Sequence, residues 1–370
     1  MRSRGTRAGA GASAPRATFW TTALASLSLA AFGAISSAQT TDPDRALLDA
    51  NAFGGDVVAI EILPLDERAA TRDALADALT EINEVEALFD PYGEFPRGLG
   101  ALNRGAGGDP VPLDDRVLEA LRKSLLFCIW SENAHGPLGG VLYGAWSLRR
   151  PAGGSPDPRF IAQALEAASC EGLELAPEAS TGRLAAGVRA DLWGFAKGYA
   201  VDRAVFRLRA AGASSGWVQV GDVVRAFQDG PNQPGWQLSL DATDPRDHLV
   251  ERIVLHNRAI ALTAKDHRPA LRIAGADWAP YLDQRTGTPI QDKTAVFVAT
   301  EEAIDAQGLS VALFVQNHRE GQFRAGQLSP RPAIKWLLGT LDPPVENSRG
   351  WANLPKWRPR PGAPLRRPER

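Results

Sequence analysis

The sequence predicts an α+β protein, in which separate groups of strands pack against helices. Helical segments with an apolar stripe dominate the first half of the chain, and β-branched segments dominate the stretch after Trp217. No regular strand–helix alternation runs through the 370 residues, and no internal repeat is evident. With 44% hydrophobic residues, the chain has enough apolar material for one large domain or two interlocked ones.

The first predicted strand is the β-branched run 57–65, which ends close to a proline. A helix follows from about Asp66, because its apolar residues recur at steps of three and four and form one stripe. A second helix is predicted over 114–132, with one of two adjacent aspartates as its cap. The stretch 90–109 between them is rich in Gly and Pro, so we expect a loop there.

The later elements follow from the same patterns. A basic, proline-containing linker at 149–158 precedes a helix at 159–168, and 191–211 has the pattern of a loop followed by a helix. The closing helix is predicted to end at Val315. The strands predicted between these helices are WVQV, WQLSL, RIVLHNRAIALTA, ALRIAG and TAVFVAT.

The two ends of the chain differ from the 45–342 domain between them. Residues 1–38 combine four arginines, an uncharged run and a small-residue site before Gln39, which is typical of a cleaved secretory signal peptide. The alternative is an uncleaved membrane anchor. We expect export to the periplasm, and no cysteine near the cleavage site offers a lipid attachment point. The tail 343–370 is rich in Pro and Arg, which predicts disorder, with contact to an anionic lipid surface as the alternative.

Charge and cysteine content exclude two classes of site. With 41 basic and 43 acidic residues, the chain lacks the excess positive charge that nucleic-acid binding favours. Cys128 and Cys170 are too few for a zinc site. Export would permit a disulfide, but Cys128 lies in the apolar helical segment LRKSLLFCIWSE, so we expect it to be a small buried packing residue.

The segment most indicative of chemistry is DLWGFAKGYAVD, residues 191–202. A glycine-containing turn that leads into a helix presents free backbone N–H groups and the positive end of a helix dipole to a phosphate. Lys197 adds a cation, and Asp191 can accept hydrogen bonds from a ribose or ring. An ordinary helix start would contain the same Gly–Lys features, and the spacing is not that of a P-loop.

This string resembles the ApbE family pattern D-x-G-G-x-A-K-G-Y-A-x-D, from which it departs at Trp193. Other segments fall in the family's order over most of the chain. They are FGGDVVAIEI, LFDPY with LNRGAGGDPVPLDDRVLEAL, WVQVGDVVRAFQ, RAIALTAKDHR, YLDQRTGTPI and AIDAQGLSVALFV.

The resemblance implies an ApbE-like mixed α/β architecture and a function. Family members bind FAD and, with Mg²⁺, transfer its FMN half to a Thr of a partner protein with release of AMP. The partner is usually an exported electron-transfer subunit. The metal would neutralise the diphosphate, so that positioning and charge stabilisation account for most of the catalysis.

Carried over position by position, the resemblance implies three sets of site residues. The set expected to contact flavin is Phe53, Tyr92, Ala134, His135, Gly136, Asp191 and Lys197. The set expected at the metal is Gly194, Gln307 and Ser310. The catalytic set is Asp283 and His267. Two alternatives stay open, because Tyr92 also fits a packed surface residue and Asp283 also fits a residue that holds a turn.

The departures from the pattern bear on activity. Gln307 and Val311 stand where the family has a carboxylate and a threonine, and a neutral amide is a weaker ligand for Mg²⁺. Pro280 stands where the family has a histidine, so His267 is the nearby substitute for a general base. Three hypotheses follow: an active transferase, a catalytically silent paralogue that holds flavin or scaffolds a partner, and an unrelated exported α+β protein.

Overall fold

The computed structural model describes residues 35–37, 45–148, 155–230, 233–244, 247–265, 271–273, 276–290, 295–338 and 345–356. Most of the predicted signal peptide, the candidate base His267 and the tail beyond Lys356 lie outside these residues. Within them, antiparallel sheets and packed helices confirm the predicted α+β class. No helix of the described stretches has the length and apolarity needed to cross a lipid bilayer.

The strands are β1 (Ile35–Ser37), β2 (Ala46–Ala52), β3 (Asp56–Ile62), β4 (Val111–Pro112), β5 (Leu173–Ala176), β6 (Thr181–Leu184), β7 (Ser215–Val220), β8 (Val223–Gln228), β9 (Trp236–Asp244), β10 (Asp247–Leu255), β11 (Ala259–Ala264), β12 (Leu271–Ile273), β13 (Ala276–Asp283), β14 (Thr288–Ile290), β15 (Ala295–Thr300), β16 (Ala333–Leu337) and β17 (Val345–Asn347). The helices are α1 (Arg68–Leu88), α2 (Leu99–Arg104), α3 (Asp115–Trp130), α4 (Gly140–Ala145), α5 (Pro158–Ala167), α6 (Ala196–Ala210), α7 (Ala303–Val315), α8 (His318–Ala325) and α9 (Arg349–Ala352).

One eight-stranded antiparallel sheet forms the centre of the fold, in the order β17-β16-β15-β11-β8-β7-β3-β2. Its middle strands are mostly apolar and buried, because both faces of the sheet are covered. In β11, Ala259 and Ala261 face the cluster formed with the helices, whereas Ile260 and Leu262 face a second cluster that includes strands β9 and β10. The near-continuous apolar runs of the sequence therefore mark strands buried on both sides.

The helical layer brings α6 and α7 together on one face of this sheet. Helix α6 packs against α1 and α7, and α7 packs against β11 and β15. The predicted helix over 114–132 is confirmed as α3, and its cap is Asp114, whose side chain accepts a hydrogen bond from the Arg116 backbone N–H. The loop-then-helix prediction for 191–211 is confirmed by α6, which begins at Ala196.

Two predictions about irregular segments are wrong. The stretch 90–109 contains helix α2, whose Leu99 and Leu102 are fully buried. The chain also continues past the helix that ends at Val315 into α8 and β16, and residues 345–356 of the expected tail add β17 and α9. Residues 345–356 are ordered because the Trp351 indole is buried in the second cluster, where it contacts Phe297.

The expectation that Cys128 is an unpaired packing residue is also wrong. Cys128 and Cys170 form a disulfide that joins α3 to the turn before β5, across 42 residues of sequence. Asn133, which has a left-handed backbone (φ 66°), accepts a hydrogen bond from the Cys170 backbone N–H through its side chain at 2.9 Å. The disulfide therefore anchors the loop that follows α3.

Candidate functional site

The turn from Asp191 to Gly198 is held in place from two sides. The Asn103 side chain exchanges two hydrogen bonds with the backbone of Ala190, at 2.7 and 2.9 Å. The Asp191 carboxylate accepts from the Trp193 backbone N–H at 2.9 Å. Asn103 lies in the segment LNRGAGGDPVPLDDRVLEAL, which resembles the family, but the sequence did not predict it as a site residue. This pair of hydrogen bonds between Asn103 and Ala190 fixes the entry to the turn.

Three of the backbone N–H groups at the start of α6, where the sequence predicted free donors, already have acceptors within the protein. The N–H groups of Phe195 and Ala196 donate to the Leu192 carbonyl, and the Gly198 N–H donates to Gln307 Oε1 at 2.8 Å. These residues are buried against α7. The N–H groups of Phe195, Ala196 and Gly198 are therefore not available to a phosphate, and a phosphate-binding role for the rest of the turn stays a prediction.

Lys197 is the cation at this turn, and two carboxylates fix its ammonium. It forms ion pairs with Asp222, on the β7–β8 turn, and with Asp56 Oδ2 at 3.4 Å, at the start of β3. The Lys197 side chain is only 6% exposed. Neither aspartate was predicted as a site residue, although Asp222 lies in WVQVGDVVRAFQ, one of the segments that resemble the family. The two pairs position the ammonium where three elements meet.

Gln307 and Ser310, the residues expected at a metal, are buried and engaged in hydrogen bonds. Gln307 Oε1 accepts from Gly198, and its Nε2 donates to the Trp193 carbonyl at 3.4 Å. Ser310 Oγ donates to the Gln307 carbonyl at 2.9 Å and lies 2.8 Å from Thr263 Oγ1. The residues that the structure describes contain no group of three or more His, Cys, Asp or Glu side chains suited to a metal. Positions 194, 307 and 310 therefore do not fit a resident Mg²⁺ ion, which needs hard and preferably anionic oxygen ligands.

The loop 134–136 packs against the 191–198 turn through the side chain of His135. Ala134 and His135 are fully buried, and the His135 ring stacks on Phe195 at 4.7 Å between centroids. A Cβ on Gly194 would lie 2.4 Å from the His135 ring, so a glycine is required there. The side chains of Ala134 and His135 are thus closed off from solvent, and their predicted contact with flavin stays a prediction.

Burial lowers the pKa of His135 from 6.5 to about 3, and the adjacent Gly194 backbone opposes this shift only in part. Neither ring nitrogen makes a hydrogen bond of good geometry to a described residue, so the nearby Gly194 backbone compensates for little of the burial. The histidine is therefore neutral in the folded protein at all moderately acidic pH values.

This burial predicts acid sensitivity. Below pH 6.5 the unfolded chain binds a proton at His135 that the folded chain does not, so stability falls as the pH decreases toward 3. Between pH 7 and pH 5, the wild type should lose about 2 kcal/mol more free energy of unfolding than His135→Phe. Urea denaturation of both proteins at the two pH values measures this difference. Equal losses would contradict the assignment.

Gln284 ties the loop 134–136 to the turn at 283–287. Its backbone N–H donates to the Ala134 carbonyl at 3.0 Å, and its side-chain Nε2 donates to the Gly136 carbonyl at 3.0 Å and to Tyr143. Asp283 accepts hydrogen bonds from the Arg285 backbone and guanidinium, and Arg285 also pairs with Glu320. These bonds show that Asp283 stabilises the turn at 283–287, which was one of the two roles expected for it. Its catalytic role stays a prediction.

Phe53 and Tyr92 lie toward the surface. Phe53 is half-buried in the β2–β3 turn with a left-handed backbone (φ 51°). Tyr92 is 56% exposed, and its hydroxyl accepts from the Arg189 guanidinium at 3.2 Å. Tyr92 is thus accessible at the surface, which agrees both with a ring that stacks on flavin and with a packed surface residue.

Asp202, the last residue of the string 191–202, was not predicted as a functional residue. Its carboxylate accepts from the backbone N–H groups of Ala303 and Ile304 at 2.8 and 2.9 Å and pairs with Arg225. It therefore caps α7 from α6, since no side chain of α7's own N-cap does so. This cap fixes the helix that carries Gln307.

Comparison with known proteins places these features in context. The sequence model described as "ApbE family" matches residues 55–332. The chain is 23% identical over 311 residues to the FAD:protein FMN transferase of Treponema pallidum, covering 80% of this chain and 85% of that protein. The crystal structure of the ApbE protein from Thermotoga maritima superposes with a TM-score of 0.72 at 22% identity, covering 83% of this chain and 98% of that one. The apo flavinyl transferase ApbE of Pseudomonas stutzeri also gives a TM-score of 0.72, at 18% identity, covering 84% of this chain and 96% of that one.

Proposed function

Because the chain belongs to the ApbE family, we propose that it is an FAD:protein FMN transferase that acts on a Thr of an exported partner protein. The observation that carries this proposal is the match across residues 55–332, within which the DLWGFAKGYAVD string forms a turn and the start of α6, with its Lys197 held by two carboxylates. Its relatives in Treponema pallidum and Vibrio cholerae bear the name FAD:protein FMN transferase.

In the proposed reaction, the Thr hydroxyl oxygen attacks the phosphorus of the FMN half of FAD. A new Thr–phosphate ester bond forms, the bond from that phosphorus to the bridging oxygen breaks, and AMP leaves while the hydroxyl proton passes to solvent. We propose that the Lys197 ammonium, whose position is fixed by its ion pairs with Asp56 and Asp222, donates a charge-assisted hydrogen bond to the diphosphate. No step relies on a resident metal ion.

We place this activity outside the cytoplasm, in the periplasm. The predicted signal peptide at 1–38 motivates this location, and the Cys128–Cys170 disulfide supports it because disulfides persist in oxidising compartments. An electron-transfer subunit exported to the same compartment is the partner that we propose.

The direct test incubates the purified chain with FAD and a peptide that carries the family's acceptor threonine, in a buffer with Mg²⁺. We expect the peptide to gain the mass of FMN as AMP appears in equal amount. AMP without labelled peptide would indicate hydrolysis. FAD binding without either product would favour the silent, flavin-holding paralogue.

Lys197 should matter more for FAD affinity than any remote buried lysine. Replacing it with Gln removes a charge-assisted contact to the diphosphate, so we expect the Kd for FAD to rise about thirtyfold, or about 2 kcal/mol. Equilibrium dialysis against FAD measures the change. The matched control is Lys335→Gln, because Lys335 is also buried and also pairs with a carboxylate, Glu251, but lies on β16. Equal affinities of both variants would contradict the placement of FAD at the 191–198 turn.

A further inference from the structure

Gln307 occupies the place between α6 and α7 where the resemblance implies a cation. Its side chain is 4% exposed and uses both halves of its amide, one toward the Gly198 N–H and one toward the Trp193 carbonyl. A carboxylate at this position could accept from Gly198, but it would repel the Trp193 carbonyl unless a cation lay between them. The amide makes both contacts with no ion.

We propose that Gln307 replaces the resident divalent cation of this site, so that the chain assembles its flavin site and holds FAD without Mg²⁺. The part of this proposal that concerns FAD rests on the proposed function. The part that concerns the amide rests on the protein alone.

The surroundings of Gln307 support this assignment. Val311, one helical turn further along α7, is 5% exposed and offers no oxygen ligand from its side chain. Ser310 already hydrogen-bonds to the Gln307 carbonyl and lies within hydrogen-bond distance of Thr263. The carboxylates of Asp56 and Asp222 are engaged by Lys197. A hydrated Mg²⁺ ion keeps near-octahedral oxygen ligands, so binding it here would require these contacts to break.

The replacement also changes which group meets the charge of the dinucleotide. A resident ion would contribute two positive charges beside the diphosphate, whereas the amide contributes none. Lys197 then supplies the cationic hydrogen-bond donor at this turn, with its charge already offset by Asp56 and Asp222. FAD affinity should therefore respond to replacement of Lys197, but not to removal of divalent cations.

The test compares the wild type with Gln307→Glu, which keeps the shape of the side chain and restores a carboxylate. Thermal unfolding is measured in excess EDTA and in saturating MgCl₂, without FAD. We expect the wild-type Tm to be the same in both buffers and the Tm of Gln307→Glu to rise in MgCl₂. Gln307→Met is the control, because it loses the contact to the Trp193 carbonyl, as Gln307→Glu does, but gains no oxygen ligand and should not respond to Mg²⁺. If Gln307→Glu does not fold, Gln307→Asp with Val311→Thr serves the same comparison.

Equilibrium dialysis against FAD forms the second arm. We expect the wild-type Kd to agree within about twofold between EDTA and MgCl₂, and the Kd of Gln307→Glu to fall at least about tenfold when MgCl₂ replaces EDTA. A wild-type Tm or affinity that rises with Mg²⁺ would overturn the inference and leave the proposed function intact. A Gln307→Glu variant that ignores Mg²⁺ in both arms would also overturn it. No FAD uptake by the wild type in either buffer would instead overturn the proposed function, and the thermal arm would still decide the role of the amide.

Discussion

Replacing both cysteines with alanine should lower the free energy of unfolding by about 4 kcal/mol. The Cys128–Cys170 disulfide closes a loop of 42 residues, and a cross-link of that span restricts the unfolded chain by about this amount. It also pins α3 to the turn before β5, directly beside the 134–136 loop, since a Cβ on Gly136 would lie 2.6 Å from the Cys128 sulfur. Urea denaturation of Cys128→Ala/Cys170→Ala against the oxidised wild type measures the loss.

Chemical reduction provides the control for this comparison. Wild-type protein unfolded in the presence of a strong thiol reductant should have nearly the same stability as the double variant, because both lack the cross-link. A loss below about 1 kcal/mol would contradict the expected contribution of the cross-link. If the reduced wild type has a higher free energy of unfolding than the double variant, the difference between them is due to packing lost at Cys128.

Gly198→Ala should destabilise the fold by about 3 kcal/mol, although alanine is the better helix former. A Cβ at this position would lie 2.4 Å from the Ala303 carbonyl oxygen and 2.7 Å from the Ile304 Cα, and both belong to backbone that cannot rotate away. The α6–α7 contact must open, and the bond from the Gly198 N–H to Gln307 is then strained or lost. Thermal and urea unfolding measure the stability, and FAD dialysis shows whether the site weakens with it.

Gly144→Ala is the matched control, because Gly144 lies in α4 and an added Cβ there meets no atom within 4 Å. Its helix propensity gain should leave the protein equally or slightly more stable. If Gly198→Ala is as stable as Gly144→Ala, the close approach of α6 and α7 at this glycine is not a constraint on the fold.

The site combines a rigid turn with few free polar groups. Asn103 holds the entry to the turn, Asp202 caps the facing helix and Gln307 joins the two helices. Lys197 is fixed by two carboxylates. Such an arrangement is preorganised, so that ligand binding does not have to order these side chains.

Local patterns in the sequence determined the α+β class and the placement of the main helices. Helix α3 follows from its apolar spacing and the Asp114 cap, and β15 follows from a short run of five apolar residues before Thr300. The family resemblance also came from a local string, residues 191–202. These features could be predicted because periodicity, capping and motif spacing depend on residues that are close in the chain.

Tertiary structure alone decided the roles of Cys128, Gln307 and the backbone of α6. Cys128 meets a partner 42 residues away, and Gln307 meets Gly198, which is 109 residues away. The sequence predicted a free backbone at the start of α6 because a glycine-containing turn before a helix usually leaves N–H groups exposed. Burial against α7 supplied a side-chain acceptor to Gly198, and no local pattern records which distant side chain will fill such a position. The fold class could thus be predicted from the spacing of residues that are close in sequence, whereas the chemistry of the site depends on packing between residues that are far apart in sequence.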